Sequence, residues 1–271
     1  TFEVVKNSLY AAAEEMKIVL AKTAYSPLLK VAGDYSCGLF DAHGEMIAQG
    51  PDLPIHLGSM PDAVKAVIAA FESFEEGDVF IHNDPYFGGS HLPDVNVVSP
   101  SFYKGEILGF ACVRAHWPDV GSATPGSYGA VTEVFGEGLR LPPIRLYAAG
   151  VLNRDVDAII FTNVRTPDER RGDMNAQIAA NRRGSARLSE LAEKYGSPLY
   201  IYESAKMISQ YKRMTNAFTD TRMKIHYACK ALTNINVLKL FKDLGSGLDA
   251  VSIQEVTLGI KAGFEPQNIM F

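Results

Sequence analysis

Apolar positions recur at three- and four-residue spacing near the start of the chain, and no Gly or Pro interrupts them. This pattern predicts a helix over 2–23. Alternating residues around a turn then predict a hairpin of strands at 35–40 and 45–49. The same two patterns predict helices at 61–74 and 168–194 and strands at 79–81, 95–98 and 107–113. Pro61 suits the first turn of the helix that it opens, and the Gly- and Pro-rich stretch 118–143 is typical of an ordered functional loop.

After residue 195, short strands alternate with helices. The predicted strands are 199–202, 224–230, 247–251 and 268–271, and the predicted helices are 204–218, 236–244 and 253–262. Such alternation is typical of a parallel α/β sheet or barrel. The charge balance changes at the same place, from 17 Lys and Arg against 25 Asp and Glu over 1–195 to 9 against 6 over 196–271. We therefore predict an α+β domain over 1–195 and an α/β domain, an incomplete β/α barrel, over 196–271.

Composition narrows the class of protein. The chain has 271 residues, of which 47% are hydrophobic and 21% charged, the mix of a soluble globular protein. Its apolar runs stop short of the roughly 20 residues that a membrane span needs, and its first residues lack a signal-peptide pattern. The net charge of −5 argues against nucleic acid as a partner. Three cysteines without a CxxC pair exclude a disulfide scaffold and a thiolate zinc cluster, so we expect a cytoplasmic protein.

Histidines and aspartates are densest between residues 82 and 119, on predicted strand ends and turns. His91 and Asp94 are three residues apart, so both side chains can converge in a tight turn. His116 follows the end of the next strand. Two imidazoles with one or two carboxylates form a borderline site for Zn, Mn or Fe, with room for water. Spacing alone leaves open the alternative that these residues only cap turns, because turns favour Asp and Asn.

Three further residues bear on this candidate metal site. Asp34, just before the first predicted strand, is a possible fourth ligand, although a turn residue is the more common role for such an Asp. His56 is more typical of a packed histidine than of a ligand. Asp119 is a candidate for orienting a ligand or acting as a base.

Several blocks of the first segment carry a family resemblance. They are TFEVV at 1–5, TAYSP at 23–27, DYSC at 34–37, HLGSMP at 56–61, NDPYFGGSHLPDV at 83–95, RAH at 114–116 and PGS at 125–127. In these blocks and in their order, residues 1–195 resemble the amino-terminal part of the hydantoinase B/5-oxoprolinase family. That family includes the B subunits of ATP-dependent hydantoinases, lactamases and oxoprolinases, and related subunits of ketone carboxylases.

The resemblance implies a divalent metal, Zn or Mn, at the positions of His91, Asp94 and His116, with Asp34 as a further ligand. It also implies a small-molecule substrate of the hydantoin, oxoproline or lactam type. A hydantoinase A-like ATPase subunit would activate the substrate carbonyl by phosphorylation, and this chain would complete the hydrolysis within an oligomer. In the ketone carboxylases, the corresponding step joins an enolate to carbon dioxide. Many relatives have a second histidine where this chain has Trp117, which alters the expected shape of the pocket.

The last part of the chain carries a second resemblance. EKYGSPLYIY at 193–202, IHYACKAL at 225–232 and GLDAVS at 247–252 resemble the opening of diaminopimelate decarboxylases. That resemblance implies a β/α barrel in which Lys230 would form the Schiff base with pyridoxal phosphate, its amine desolvated at a strand end. A pyridoxal-phosphate-dependent lyase fragment is therefore an alternative function. A non-catalytic interaction module that retains folded pieces of two enzymes is a third.

Overall fold

A seven-stranded antiparallel sheet organises residues 1–199, the first of two compact units. The computed structural model describes residues 2–126, 129–196, 202–218 and 223–271. The strands are β1 (Tyr35–Asp41), β2 (Met46–Gln49), β3 (Val79–His82), β4 (Asp94–Tyr103), β5 (Glu106–His116), β6 (Ile144–Ala148) and β7 (Val151–Leu152). Their order across the sheet is β2-β1-β5-β4-β3-β6-β7. The two longest strands, β4 and β5, therefore lie at the centre.

Helices cover both faces of this sheet. They are α1 (Phe2–Thr23), α2 (Pro54–Ala70), α3 (Arg154–Thr162) and α4 (Pro167–Tyr195). On one face, α1 and α4 pack against each other and over a core that includes Met16, Leu39 and Val113. On the other face, α2 packs over a second core that includes Met60, Phe80 and Cys112. Helices with a mostly antiparallel sheet confirm the predicted mixture of α and β structure in this segment.

The sequence pattern locates the central strands but underestimates their length. The predicted strands at 95–98 and 107–113 extend to Asp94–Tyr103 and Glu106–His116. Because of this extension, Asp94 and His116 lie within paired strands instead of in the turns beyond them. The elements β6, β7 and α3 are absent from the sequence prediction. The two strands are short and lie at a half-exposed edge of the sheet, so their hydrophobic and polar residues show little alternation.

The prediction that Pro61 begins a helix is wrong. The helix α2 starts at Pro54, and Pro61 lies inside it. A proline in a helix interior removes one backbone hydrogen bond. The guanidinium of Arg114 donates to the carbonyls of His56 and Ser59 in the turn before Pro61 and so ties this part of α2 to β5. The first turn of α2 is therefore held from outside the helix.

Residues 200–271 form the second compact unit. Its elements are α5 (Ser204–Asn216), β8 (His226–Ala228), α6 (Ile235–Asp243), β9 (Gly247–Asp249), α7 (Ile253–Ala262) and β10 (Ile269–Met270). The strands form a parallel sheet in the order β10-β9-β8, and the helix predicted at 253–262 is confirmed. The predicted strand at 199–202 lies, apart from Tyr202, outside the described residues. Three parallel strands do not distinguish an open sheet from part of a barrel, so the barrel stays a prediction.

Lys230 does not lie in the environment that the sequence predicts. The strand expected at 224–230 ends at Ala228, and a short 3-10 helix, Cys229–Ala231, follows it. Within this unit, the side chain of Lys230 is exposed. The structure therefore does not desolvate the amine.

Among the helices of the described residues, none is both long enough and apolar enough to cross a membrane.

Candidate metal centre

The candidate site lies where β4 begins and β5 ends. In the antiparallel pairing of these strands, Asp94 is the partner of His116. His91 precedes Asp94 in a tight turn, closed by a hydrogen bond from the Asp94 amide to the His91 carbonyl at 3.0 Å. The amide of His116 donates to the carbonyl of Asp34 at 3.0 Å, which brings the residue before β1 to the same sheet end. Strand pairing thus brings together Asp34, the turn from His91 to Asp94, and His116, three segments that are distant in sequence.

The loop that carries His91 is fixed by close packing. Gly88 has a φ of 79°, in the left-handed region. A Cβ on Gly88 would lie 2.3 Å from the carbonyl oxygen of Asp62, so only glycine lets this loop lie against α2. Asn83 holds the other side of the loop, because its amide donates to the carbonyl of Leu92 at 2.6 Å. The imidazole of His91 is therefore presented from a rigid turn.

Three side chains converge on one point. The Nε2 atom of His91 lies 2.8 Å from Oδ1 of Asp94, and the Nδ1 atom of His116 lies 3.1 Å from the same oxygen. One ligand atom from each of the three residues lies within 4.8 Å of the other two. Two imidazoles and a carboxylate at this separation form a donor set that suits Zn, Mn or Fe. The residues present therefore fit the cation that the sequence predicts.

Asp34 borders this cluster. Its Oδ2 atom lies 3.9 Å from Nδ1 of His116, and its Oδ1 atom lies 3.6 Å from Nε2 of His56. The carboxylate thus faces the same cluster from the residue just before β1, the strand next to β5, but lies farther from it than Asp94 does. Asp34 is not one of the three residues that converge within 4.8 Å, so its role as a fourth ligand stays a prediction.

A cleft of about 550 Å³ opens onto the cluster. Its lining combines the four candidate ligands with His56, Ser90 and two apolar residues, Leu53 and Ile55. A concave site with a few convergent polar groups and an apolar edge is typical of small-molecule binding.

Asp94 is the electrostatic centre of the site. Burial alone would raise the pKa of its carboxyl, but hydrogen bonds with the three surrounding histidines and Ser90 outweigh burial and hold that pKa well below its usual range. The hydrogen bond with Asp94 in turn raises the pKa of His91, against the opposing effect of burial. Asp94 is therefore an anion at neutral pH, which is the state that a metal ligand needs.

Asp119 is engaged elsewhere. Its Oδ1 atom accepts from the Arg165 guanidinium at 2.7 Å and from the Gly121 amide at 3.1 Å. Its Oδ2 atom accepts from the backbone amide of Arg165. The carboxylate thus fixes the loop after β5, and it is not among the described residues that line the cleft. The structure gives Asp119 no contact with the candidate ligands, so its predicted role as a base finds no geometric support.

Several residues of the site give no signal in the sequence. His56 contacts both aspartates, Ser36 contacts His56, and Arg114 lies fully buried behind them. Arg114 and His116 are two residues apart on β5, so they share one face of the sheet. This alternation is the one sequence cue that could have placed Arg114 beside the site, whereas nothing in the spacing brings His56 to it.

His82, the partner of Asn96 in the pairing of β3 with β4, is fully buried. Neither ring nitrogen meets a hydrogen-bond partner of good geometry. Burial, and secondarily the charge of Arg114, lowers the pKa of His82 from 6.5 to about 4. The ring is therefore neutral in the folded protein above about pH 4.

Replacing His82 with Phe is expected to make folding less sensitive to acid. Below pH 6.5 the unfolded chain takes up a proton at His82, but the folded chain excludes that proton until about pH 4, so stability falls as the pH falls through this window. The loss amounts to at most about 3 kcal/mol. Urea unfolding of both proteins at pH 7 and pH 4.5 measures it, with His43→Phe at an exposed turn as the control. An equal loss of stability in wild type and His82→Phe would contradict the prediction.

The fold and the cluster define a candidate metal-binding chain built on an antiparallel sheet. The sequence model of the family Hydantoinase B/oxoprolinase matches residues 1–241. The chain belongs to the hydantoinase B/oxoprolinase family.

Named relatives agree with this membership. The beta subunit of caprolactamase from Pseudomonas jessenii is 42% identical over 198 residues, which cover 72% of this chain and 34% of that subunit. The 5-oxoprolinase of Dictyostelium discoideum is 36% identical over 199 residues, which cover 72% of this chain and 16% of that protein.

Two solved enzymes share the fold. The crystal structure of ATP-dependent caprolactamase from Pseudomonas jessenii matches with a TM-score of 0.69 and 40% identity, over 80% of this chain and 37% of that chain. Nucleotide-free acetone carboxylase matches with a TM-score of 0.68 and 26% identity, over 72% of this chain and 26% of that chain. The matched part of this chain therefore covers between 16% and 37% of the length of these relatives.

The family match runs past residue 195, into the segment that resembles diaminopimelate decarboxylases. None of these relatives supports that second resemblance. Pyridoxal phosphate at Lys230 stays a prediction, and the exposed position of that lysine does not strengthen it.

Proposed function

We propose that this chain carries the metal-dependent step in the opening of a cyclic amide, as part of an ATP-dependent enzyme. The observation that carries the proposal is the convergence of His91, Asp94 and His116 within 4.8 Å at the floor of a cleft. Among the relatives, caprolactamase and 5-oxoprolinase are named for cyclic amides, and the caprolactamase is ATP-dependent. Because this chain spans only part of those proteins, the activity is proposed for the assembled enzyme.

The proposed cation is Zn or Mn, held by His91, Asp94 and His116 with Asp34 as a fourth donor. When bound, such an ion polarises a carbonyl and lowers the pKa of a bound water. The protein's own contribution is to keep the donors in place. Asp94 remains deprotonated because its hydrogen bonds outweigh the effect of burial. Ser90 donates to the outer oxygen of Asp94 at 2.6 Å, which orients the carboxylate.

The substrate is proposed to bind in the cleft beside the cluster. Leu53 and Ile55 give the cleft an apolar edge that suits the methylene groups of a lactam or oxoproline ring. The polar groups of the cluster make up the rest of the lining and would face the amide carbonyl. This division favours a small cyclic amide over a charged or extended substrate.

The proposed partner is a hydantoinase A-like subunit that uses ATP to activate the amide carbonyl by phosphorylation. The related caprolactamase chain is named as a subunit, which supports an assembly of unlike chains. A ketone carboxylase subunit is the second candidate function, and the fold match to acetone carboxylase favours it. Cyclic amides and ketones, offered separately with ATP to the assembled enzyme, distinguish the two.

A metal titration of the chelated protein tests the proposal. Wild type is expected to bind one Zn or Mn per chain, and His91→Ala is expected to bind at least about tenfold more weakly, because one of the imidazole donors is gone. Equilibrium dialysis with elemental analysis gives the stoichiometry, and His43→Ala, at an exposed turn, is the control. Unchanged binding by His91→Ala would remove the metal site. The assembled enzyme with that variant should likewise lose ATP-dependent ring opening.

A further inference from the structure

His56 lies behind the candidate ligands, on the first turn of α2. Its side chain is buried, with only 3% of the residue exposed. The Nε2 atom lies 3.4 Å from Oδ2 of Asp94 and 3.6 Å from Oδ1 of Asp34. One ring nitrogen thus stands between the two carboxylates of the site.

The four carboxylate oxygens divide into two sets. Asp94 Oδ1 faces His91 and His116, at 2.8 and 3.1 Å, and Asp34 Oδ2 faces His116 at 3.9 Å. The remaining oxygen of each carboxylate is the one that faces His56. Each aspartate therefore turns one oxygen towards the proposed cation and the other towards the His56 ring.

The contact of the other ring nitrogen of His56 is compatible with a proton on Nε2. Nδ1 lies 3.3 Å from the hydroxyl oxygen of Ser36, a residue that is fully buried on β1. Since Ser36 can donate its proton to Nδ1, a neutral ring then carries its own proton on Nε2, where it points at carboxylates that can only accept. Ser36 and the two aspartates thus favour the same tautomer.

The backbone of His56 is held from the sheet. Arg114, fully buried on β5, donates from Nη1 to the His56 carbonyl at 3.3 Å. The same guanidinium donates from Nε to Asn96 on β4 at 2.7 Å. The ring position is therefore tied to the two strands that carry Asp94 and His116.

We propose that His56 is a positioning residue: its Nε2–H donates to the outer oxygen of Asp94 and faces the outer oxygen of Asp34, and so aims their inner oxygens at the cation. The inference rests on the proposed function, since it gives His56 a task only where a metal binds. Partners that orient metal ligands in this way are commonly required for full affinity, and their loss weakens binding about 10- to 100-fold.

The test compares His56→Leu with His56→Gln. Leucine fills the space but donates nothing, whereas the glutamine amide can place an N–H near the position of Nε2. We expect Zn or Mn affinity, measured by competition with a chromophoric chelator, to fall about 10- to 100-fold in His56→Leu and to recover most of that loss in His56→Gln. His43→Leu, at an exposed turn, controls for loss of a histidine.

A spectroscopic measurement separates positioning from ligation. X-ray absorption of the Zn-loaded protein should count two imidazole ligands in wild type and the same two in His56→Leu. Three imidazoles in wild type and two in the variant would show that His56 is itself a ligand and overturn the proposal. Equal affinity of wild type and His56→Leu would also overturn it while leaving the proposed function intact.

A milder variant guards against misfolding. Ser36→Ala removes only the hydroxyl that fixes the tautomer, and we expect it to weaken metal binding several-fold, by less than His56→Leu. If His56→Leu does not fold, unchanged metal affinity in Ser36→Ala would count against the inference. Wild type that binds no metal at all would overturn the proposed function together with it.

Discussion

Replacing Asp94 with Asn is expected to abolish metal binding by this chain. Asp94 is the residue that meets all three neighbouring histidines, and its pKa well below the usual range shows how strongly the site stabilises its charge. An asparagine keeps the size of the side chain but removes the negative charge that opposes the cation. We expect the dissociation constant for Zn or Mn to rise more than the 10- to 100-fold that typifies loss of a supporting partner.

Thermal stability gives an independent measure of this effect. A metal present at 100 times its dissociation constant stabilises the folded state by about 2.7 kcal/mol. Added Zn or Mn should therefore raise the melting temperature of wild type and leave that of Asp94→Asn unchanged. Asp168→Asn, at an exposed position on α4, should respond as wild type does. A metal-dependent shift of equal size in Asp94→Asn would exclude Asp94 as a ligand.

The convergence of His91, Asp94 and His116 could be predicted from the sequence because it depends on two strands. The pattern predicts strands next to Asp94 and before His116, and the turn between His91 and Asp94 is short enough to limit where His91 can point. Pairing of β4 with β5 then completes the cluster. What the pattern misses is that both strands run further than predicted, so that the candidate ligands Asp94 and His116 belong to the sheet itself.

The residues that contact the candidate ligands could not be predicted from the sequence, for a physical reason. His56 reaches the site because α2 begins seven residues before Pro61, a start that depends on contacts with Arg114 from another element. Asp119 is paired with Arg165, 46 residues away, a contact that no local pattern encodes. Local periodicity predicts helices and strands, but tertiary hydrogen bonds decide which polar side chains support the site and which fix a loop.

The second unit shows the same limit. Its helices α6 and α7 were predicted within a residue of their observed bounds, since each has a clear apolar face and a capping residue, Asn234 or Ser252. The environment of Lys230 was not predicted correctly. The strand stops at Ala228 and a short helix follows it, so the lysine that a longer strand would have buried is exposed.

Arg114 is the residue on which both the fold and the site depend, and replacing it with Met is expected to destabilise the protein strongly. Its guanidinium is fully buried and, among the described residues, pairs with no carboxylate. It is held instead by Asn96, His56, Ser59 and Gly88, through hydrogen bonds to carbonyl and hydroxyl oxygens. Burial lowers the pKa of Arg114, and these acceptors compensate for the lost hydration.

A methionine would fill much of the same volume but leave those acceptors buried without a donor. Because hydrogen bonds to a charged group contribute about 1.5–3 kcal/mol each and orphaned buried groups are costly, we expect the free energy of unfolding to fall by about 3 kcal/mol or more. Arg114→Lys should show an intermediate loss, since a single ammonium cannot reach the acceptors on both α2 and β4 at once. Urea unfolding measures both, and Arg182→Met on the exposed side of α4 should change stability by less than about 0.5 kcal/mol.

The same variants separate the fold from the site. If Arg114 positions His56 through the first turn of α2, the folded fraction of Arg114→Lys should bind Zn or Mn more weakly than wild type, in the direction expected for His56→Leu. The two changes together should then weaken binding less than the product of their separate effects, because they act through one contact. Full additivity would show that Arg114 stabilises the sheet and α2 without any part in aligning the candidate ligands.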